Sequence, residues 1–427
     1  MSFRFVHAAD IHLDSPLRSL ALRAPHVADL IGTATRTALV NIVDLCLAER
    51  VDALLIAGDL YDGDQTSMAT ARFLADQLGR LHQAGIAVHI IRGNHDALSR
   101  ITRELVLPDT THVYRDRAES ILLSRPEGAV PVRLHGLSFR EPHAAKSLLG
   151  DYQPPAPDAV NIGLMHTSLG GAPGHDPYAP VAPAELGGWG YDYWALGHVH
   201  KPARQVHGRA HIVMPGIPQG RDVGEAGARG VVLVTVAPDR SITVEDRLTS
   251  VAEFATVTVD ATGAAEWPAL VARLRAALET ARTGAPSPHL VARVVLAGAT
   301  PLAWSIRRDL DLLTAEAETA AEATGQVWIE KITSTCTLPG DAETPDTDGA
   351  PLIELRRLIG DDVLRSADFA AELHALAEEL IGQLPAELRR SFGQDAAALD
   401  TTLATLAAEG ADEVIARLAP DPDPQDA

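Results

Sequence analysis

Short apolar runs alternate with longer amphipathic stretches through the first half of the chain. Five runs read as buried strands: Phe5-Val6, Leu54-Leu55-Ile56-Ala57, Val88-His89-Ile90-Ile91, Ile162-Gly163-Leu164-Met165 and Trp194-Ala195-Leu196. Each is short and almost wholly apolar, the pattern of a strand covered on both faces. Between them, residues 34–50 (Leu39, Ile42, Val43, Cys46, Leu47) and 66–84 (Met68, Phe73, Leu74, Leu78, Leu81) repeat at helical spacing. From Thr111 to Phe139 the runs shorten and are broken by Gly and Pro, which predicts antiparallel strands. Pro- and Gly-rich stretches at 150–160 and 170–190 predict long loops, and further strands are expected at His211–Met214, Gly230–Val236 and Ile242–Val244. Residues 1–250 therefore read as an α/β domain, a two-sheet sandwich flanked by helices.

Residues 251–338 repeat the alternation on a smaller scale: strand Phe254–Val259, helix Trp267–Ala281, strand Leu290–Leu296, helix Trp304–Ala323, strand Val327–Ile332. This is a small α/β module without a polar motif of its own. Residues 339–352 are acidic and rich in Pro and Gly, the composition of a linker. Residues 353–418 return to helical periodicity through Leu358, Leu364, Leu373, Leu376, Leu380, Leu399, Leu403 and Leu418, and residues 419–427 are expected to be a disordered tail.

Each of the five buried runs leads into an unusual polar segment: Asp10-Ile11-His12, Gly58-Asp59-Leu60-Tyr61-Asp62, Gly93-Asn94-His95-Asp96, His166-Thr167 and Gly197-His198-Val199-His200. Any one of these could be a turn or a satisfied core histidine. Together they gather Asp, Asn and His along one edge of a sheet, where α/β proteins place their sites. His198 and His200 are one residue apart, so on extended backbone they point the same way and reach different atoms, which suits two metal ions better than one. Two dications held close together need an anionic bridge, and Asp59 is the best candidate.

In this order the segments resemble the signature of the calcineurin-like metallophosphoesterases: D-x-H, GD, GNHD, H and GH-x-H. The first 250 residues are similar to the SbcD and YhaO type of bacterial DNA repair exonuclease, relatives of the meiotic-recombination-eleven nuclease. Phe5-Val6-His7-Ala8-Ala9-Asp10-Ile11-His12-Leu13 and His175-Asp176-Pro177-Tyr178-Ala179-Pro180 point to the YhaO branch. The resemblance implies a metallophosphoesterase sandwich, a capping domain over residues 251–338, and a partner-binding role for 353–418. It implies that Asp10, His12 and His200 hold one metal and that Asn94, His166 and His198 hold the other; it favours manganese, while the nitrogen and oxygen donors also suit Fe²⁺ or Zn²⁺. It implies that His95 is the histidine that acts on the phosphate without ligating metal, and Asp96, next to it, is expected to orient its ring. Archaeal and eukaryotic relatives carry a histidine where this chain has Asp62, for which two expectations stay open: an outer partner of the site, or a turn residue, the latter favoured.

The resemblance also implies DNA as substrate and an SMC-like coiled-coil ATPase of the SbcC and YhaN type as partner, with a homodimer as a further expectation. The formal net charge of −21 speaks against a phosphate-rich partner, but its distribution weakens the objection. Residues 1–250 carry a net −4 and residues 251–427 a net −17, so the acidity belongs to the C-terminal part. Arg92, Arg140, Lys201 and Arg221 are the expected substrate contacts, with Arg204 and Gln219 beside them. Tyr61, Trp189 and Tyr193 could stack on bases, while Trp194, His7 and His89 are expected to be core residues. Only Cys46 and Cys336 are present, which excludes a disulfide framework and fits a reducing cytoplasm. No signal peptide or membrane span is visible at the start. Two other classes remain open: a small-molecule or cyclic-nucleotide phosphodiesterase, and a regulatory scaffold for an ATPase.

Overall fold

The computed structural model describes residues 1–15, 25–62, 67–97, 106–123, 129–141, 144–171, 178–339, 350–384, 389, 392–393 and 395–419. Two compact units are found. Their border does not follow the ends of the expected 251–338 module. The first unit holds residues 1–256 together with 281–293 and 326–331, and the second holds 257–280, 294–325 and 332–427.

The first unit contains two six-stranded sheets. Its strands are β1 (Phe3–Ala8), β2 (Ala53–Ala57), β3 (Ala87–Ile91), β4 (Thr111–Val113), β5 (Glu119–Leu122), β6 (Val132–Gly136), β7 (Val160–His166), β8 (Tyr193–Gly197), β9 (Ala203–His207), β10 (Ala210–Met214), β11 (Gly230–Val236) and β12 (Ile242–Leu248). One sheet runs β12-β11-β1-β2-β3-β4 and the other β5-β6-β7-β8-β10-β9. β1, β2 and β3 are parallel neighbours, as are β7 and β8. All five residues of β2 and all seven of β7 are buried, which explains their continuous apolar runs.

The inner faces meet through Phe5, Leu55 and Val234 of one sheet and Leu134, Ile162, Tyr193 and Val213 of the other. Outside the first sheet pack α1 (Pro25–Glu49) and α2 (Met68–Gln83), through Leu39, Ile42, Val43, Cys46, Leu74 and Leu78. α2 starts where the Ser67 side chain accepts the Thr70 N–H. α3 (Pro183–Gly188) covers the second sheet, with Leu186 against Trp194 and Ile212. Residues 27–49 of α1 are long and apolar enough to cross a membrane, with mean hydropathy 1.4. Their apolar side is spent on the core, since Leu39, Ile42, Val43 and Cys46 are fully buried there.

Strands β13 (Ala252–Asp260), β14 (His289–Ala299) and β15 (Val327–Thr337) form a third sheet. The second unit contains most of α4 (Trp267–Gly284), up to residue 280, and, in place of the single expected helix at 304–323, α5 (Ala303–Arg308) and α6 (Leu310–Thr324). The break falls at Asp309, which leaves the helical region at φ −107 and ψ 36 and accepts from the Arg308 guanidinium. The expected linker lies outside the described residues except for its ends, and α7 (Ala350–Leu358) already begins within it. α8 (Ala367–Gln383) and α9 (Ala396–Leu418) come next. α9 packs back within this unit: Ile415 and Ala416 are fully buried and Arg308 donates to the Ala419 carbonyl. On α8, Leu376 and Leu380 are exposed at 61% and 53%, while Leu373 is half-buried. Of the expected tail, residues 420–427 lie outside the described residues.

His7 is a core residue, its Nδ1 paired with the Tyr193 hydroxyl at 3.0 Å and its Nε2 with the Leu196 carbonyl at 3.1 Å. Burial holds His7 down to about 3, and His89 and His135 down to about 4. The unfolded chain therefore binds protons that the folded chain refuses. The stability these residues share is complete above about pH 6.5 and is lost as pH falls toward 4, by about 1.4 kcal/mol per pH unit for each histidine. Urea unfolding at pH 7 and pH 5 checks this. His89→Gln should flatten the pH dependence by about one proton's worth, and an unchanged dependence would contradict the assignment.

Candidate metal centre

The carboxyl ends of β1, β2 and β3 and of β7 and β8 meet on one edge of the sandwich, so both sheets feed the same place. The loops after β1 and β2 are sewn together, with Asp10 N–H donating to the Gly58 carbonyl and His12 N–H to the Asp59 carbonyl, both at 3.0 Å. Asp10, His12, Asp59 and His198 all have positive φ, at 53°, 44°, 53° and 104°. Such backbone is costly for residues with a Cβ and persists where the surroundings dictate it, typically at functional sites. Gly93 is required by closeness rather than by φ. A Cβ there would lie 2.3 Å from Asp59 Oδ1 and 2.7 Å from His166 Nε2.

Three groups of side chains converge, each with its ligand atoms within 4.8 Å of one another: Asp10, His12 and His200; Asp59, His166 and His198; and His12, Asp62 and His95. In the first, His12 Nδ1 lies 2.7 Å from Asp62 Oδ1 and His200 Nδ1 lies 2.5 Å from Glu225 Oε1. Carboxylates only accept, so both Nδ1 atoms donate, and in neutral rings both Nε2 atoms carry lone pairs. Those two Nε2 atoms face each other at 3.2 Å. Facing lone pairs repel unless a proton or a metal cation joins them, and with Asp10 beside them the residues fit a metal ion.

The second group repeats the logic. His166 Nδ1 donates to the Ala57 carbonyl at 2.9 Å, and its Nε2 lies 3.0 Å from Asn94 Oδ1 and 3.3 Å from Asp59 Oδ2. His198 Nδ1 is 3.2 Å from Asn94 Oδ1. Asp59 Oδ2 is also 3.9 Å from His12 Nε2, so this one oxygen stands between the two groups. Burial opposes charge on Asp59, yet the imidazoles of His166, His12 and His95 hold it below the usual carboxylate range. Burial likewise opposes charge on His166, but Asp59 and Asp10 lift it to about 9. The pocket thus calls for positive charge. Nitrogen and oxygen donors without thiolate suit a divalent transition metal.

One expectation is corrected, and one open alternative, that at Asp62, is decided. Asp96 does not orient His95: it is buried and turns back to accept from Leu60 N–H at 3.0 Å and Gly93 N–H at 2.6 Å, stapling the loops. Burial, with Asp59 nearby, pushes its carboxyl up to about 7. Asp62 takes the orienting role and is no mere turn residue. Its Oδ1 is 3.2 Å from His95 Nδ1 as well as 2.7 Å from His12 Nδ1. These contacts raise His95, whose side chain is 49% exposed and whose ring stands edge-on to His12 at 5.0 Å.

The expected substrate residues divide. Lys201 is exposed, and Arg140 is 81% exposed beside Asp116, on the wall of a cavity of about 500 Å³. The Arg92 side chain is half-buried and reaches toward the Ala97 carbonyl at 3.4 Å. Arg221 is mostly buried against Glu225 and Ser15. Arg204 pairs with Asp246, and Gln219 is buried with its amide donating to the Gly220 and Ala252 carbonyls at 2.8 Å. Tyr61 and Tyr193 are fully buried, so neither can stack on a base, and Trp194 is core. Trp189 is half-buried and His175 lies outside the described residues. Glu225 had no signal in the sequence, since it sits 25 residues beyond His200 in no motif.

Residues 3–202 match the family model for calcineurin-like phosphoesterases, and residues 254–337 match that for the middle domain of metallophosphoesterase YhaO. Among curated proteins, the chain is 34% identical over 234 residues to the uncharacterized metallophosphoesterase YhaO of Bacillus subtilis, covering 54% of this chain and 57% of that one. It is 30% identical over 230 residues to the DNA double-strand break repair protein Mre11 of Methanopyrus kandleri, covering 51% and 49%. It is 32% identical over 142 residues to the SbcD component of nuclease SbcCD from Rhodobacter capsulatus, covering 32% and 31%. The chain thus spans from about a third to little more than half the length of these relatives. The ligand groups, the two sheets and both family matches agree: residues 3–202 are similar to the calcineurin-like phosphoesterases, and the chain resembles the SbcD and YhaO type among them.

Proposed function

We propose that the chain is a dinuclear manganese-dependent DNA nuclease that hydrolyses phosphodiester bonds in the cytoplasm. The observation that carries this reading is Asp59 Oδ2 standing between two separate ligand groups, with His95 at their open side. When bound, the two ions polarise the phosphate and supply an activated water. The chain's own residues do the rest. Asp62 occupies His95 Nδ1, which leaves Nε2 free to face a phosphate or give a proton to the departing oxygen. Arg140 and Lys201 offer exposed cations for flanking phosphates. DNA as the substrate is supported by the names of the relatives, a double-strand break repair protein and a nuclease component.

A second reading, a phosphodiesterase of small molecules, is favoured by the cavity of about 500 Å³ lined by Leu137, Phe139 and Leu148, because the Phe139 ring stands edge-on to His166 at 5.6 Å. For the partner, the reading is an SMC-like coiled-coil ATPase docking on α8, supported by exposed Leu376 and Leu380.

One set of assays separates these possibilities. With Mn²⁺, the chain should cut linear duplex DNA as well as bis-p-nitrophenyl phosphate. Hydrolysis of the small ester alone selects the second reading, and hydrolysis of neither leaves a scaffold. Leu376→Asp with Leu380→Asp should abolish co-purification with the ATPase and leave ester hydrolysis intact. Persistent co-purification would remove α8 from the interface.

A further inference from the structure

Residues 221–229 lie beyond the phosphoesterase match, which ends at residue 202, and hold none of its motifs. They nevertheless close around a metal-site histidine. Glu225 ends the single turn Val223–Glu225, and its Oε1 lies 2.5 Å from His200 Nδ1. Arg221 braces the same carboxylate from the other side. Its Nη2 donates to Oε1 at 3.0 Å and its backbone N–H to Oε2 at 2.8 Å. The pair is largely shielded from water, with side-chain exposures of 18% and 12%.

The turn is fixed in its own right. Asp222 Oδ1 accepts from Gly224 N–H at 2.7 Å, and Gly227 N–H donates to the Phe254 carbonyl at 2.8 Å. The Arg229 guanidinium reaches the carbonyls of Glu225, Ala226 and His200 at 3.1, 2.6 and 3.3 Å. A carboxylate held this firmly sets the ring angle of His200 and its tautomer, because the proton must stay on Nδ1. The lone pair of Nε2 is then directed at His12 Nε2, 3.2 Å away.

We propose that Glu225, braced by Arg221, is a positioning residue for the first metal position, Asp10, His12 and His200. It presents His200 Nε2 as a ligand before any ion arrives, and removing it weakens that position selectively. The proposal rests on the dinuclear reading above and extends the metal centre to a segment outside the phosphoesterase match. The second position differs in kind, since His166 is oriented by the main-chain carbonyl of Ala57, which no side-chain substitution removes.

The test is Mn²⁺ binding to the full chain, read by titration calorimetry, elemental analysis and electron paramagnetic resonance, for the wild type, Glu225→Gln and Glu225→Ala. The wild type should hold two ions and show the signal of a coupled pair. Glu225→Ala should bind one of them about 10- to 100-fold more weakly, the usual effect of losing an outer partner of a ligand, and show isolated Mn²⁺ instead. Glu225→Gln keeps an acceptor of the same shape and should fall between, so the comparison survives if the alanine variant folds poorly. Two sites of unchanged affinity in both variants, or equal weakening of both sites, would overturn the proposal. A wild type that fails to bind two manganese ions would bring down the dinuclear reading itself, and this inference with it.

Discussion

Asp59→Asn should strip the chain of most of its bound metal and reduce phosphodiester hydrolysis by more than the ~10²-fold expected for an outer partner. Asp59 is one of only two carboxylates in the two ligand groups, the other being Asp10. Its Oδ2 is the atom placed between them, 3.3 Å from His166 Nε2 and 3.9 Å from His12 Nε2. An amide there removes the charge that holds two dications at close range. Asparagine tolerates the left-handed backbone at φ 53 as well as aspartate does, so the loop should keep its shape. Elemental analysis of the purified variant decides the matter: one ion or fewer per chain is expected, and two would sink the bridge.

His95→Ala should separate chemistry from binding. Because Asp62 also holds His12, removing the His95 ring leaves the Asp62–His12 contact in place, and the first metal position should survive. The alanine keeps the main-chain N–H that donates to Asp59 Oδ1 at 3.0 Å. With the side chain 49% exposed, little packing is lost. We expect metal content and DNA affinity near those of the wild type and a kcat lower by ~10²-fold or more, the scale of a positioned acid or base. Metal loss would make His95 a ligand, and near-normal turnover would make it an ordinary surface residue.

Much of this site was legible in the chain because its units are local. A buried run followed within one to five residues by Asp, Asn or His needs no knowledge of the partner strand, so all five ligand segments could be read. The two-sheet α/β sandwich was legible for the same reason, from the apolar runs of β2, β3 and β7. The helix starts were less so. α1 begins at Pro25, nine residues before the expected start, because its first turns are buried by the contact of Val27 and Ile31 with Phe254 and Val291, far along the chain.

The sequence by itself determined which residue types reach the sheet edge and in what order, since strand periodicity and ligand spacing act over a few residues. Only the tertiary structure decided how those side chains are oriented. Asp62 meets His12 from 50 residues away, His12 and His200 face each other across 188, and Glu225 reaches His200 from outside every motif. Asp96, adjacent to His95 in sequence, turns away from it because two loop amides nearby are better partners for a buried carboxylate. Hydrogen bonds of this kind are chosen by where a donor and an acceptor come to rest in space, and that placement is a property of the packed sheets rather than of any segment alone.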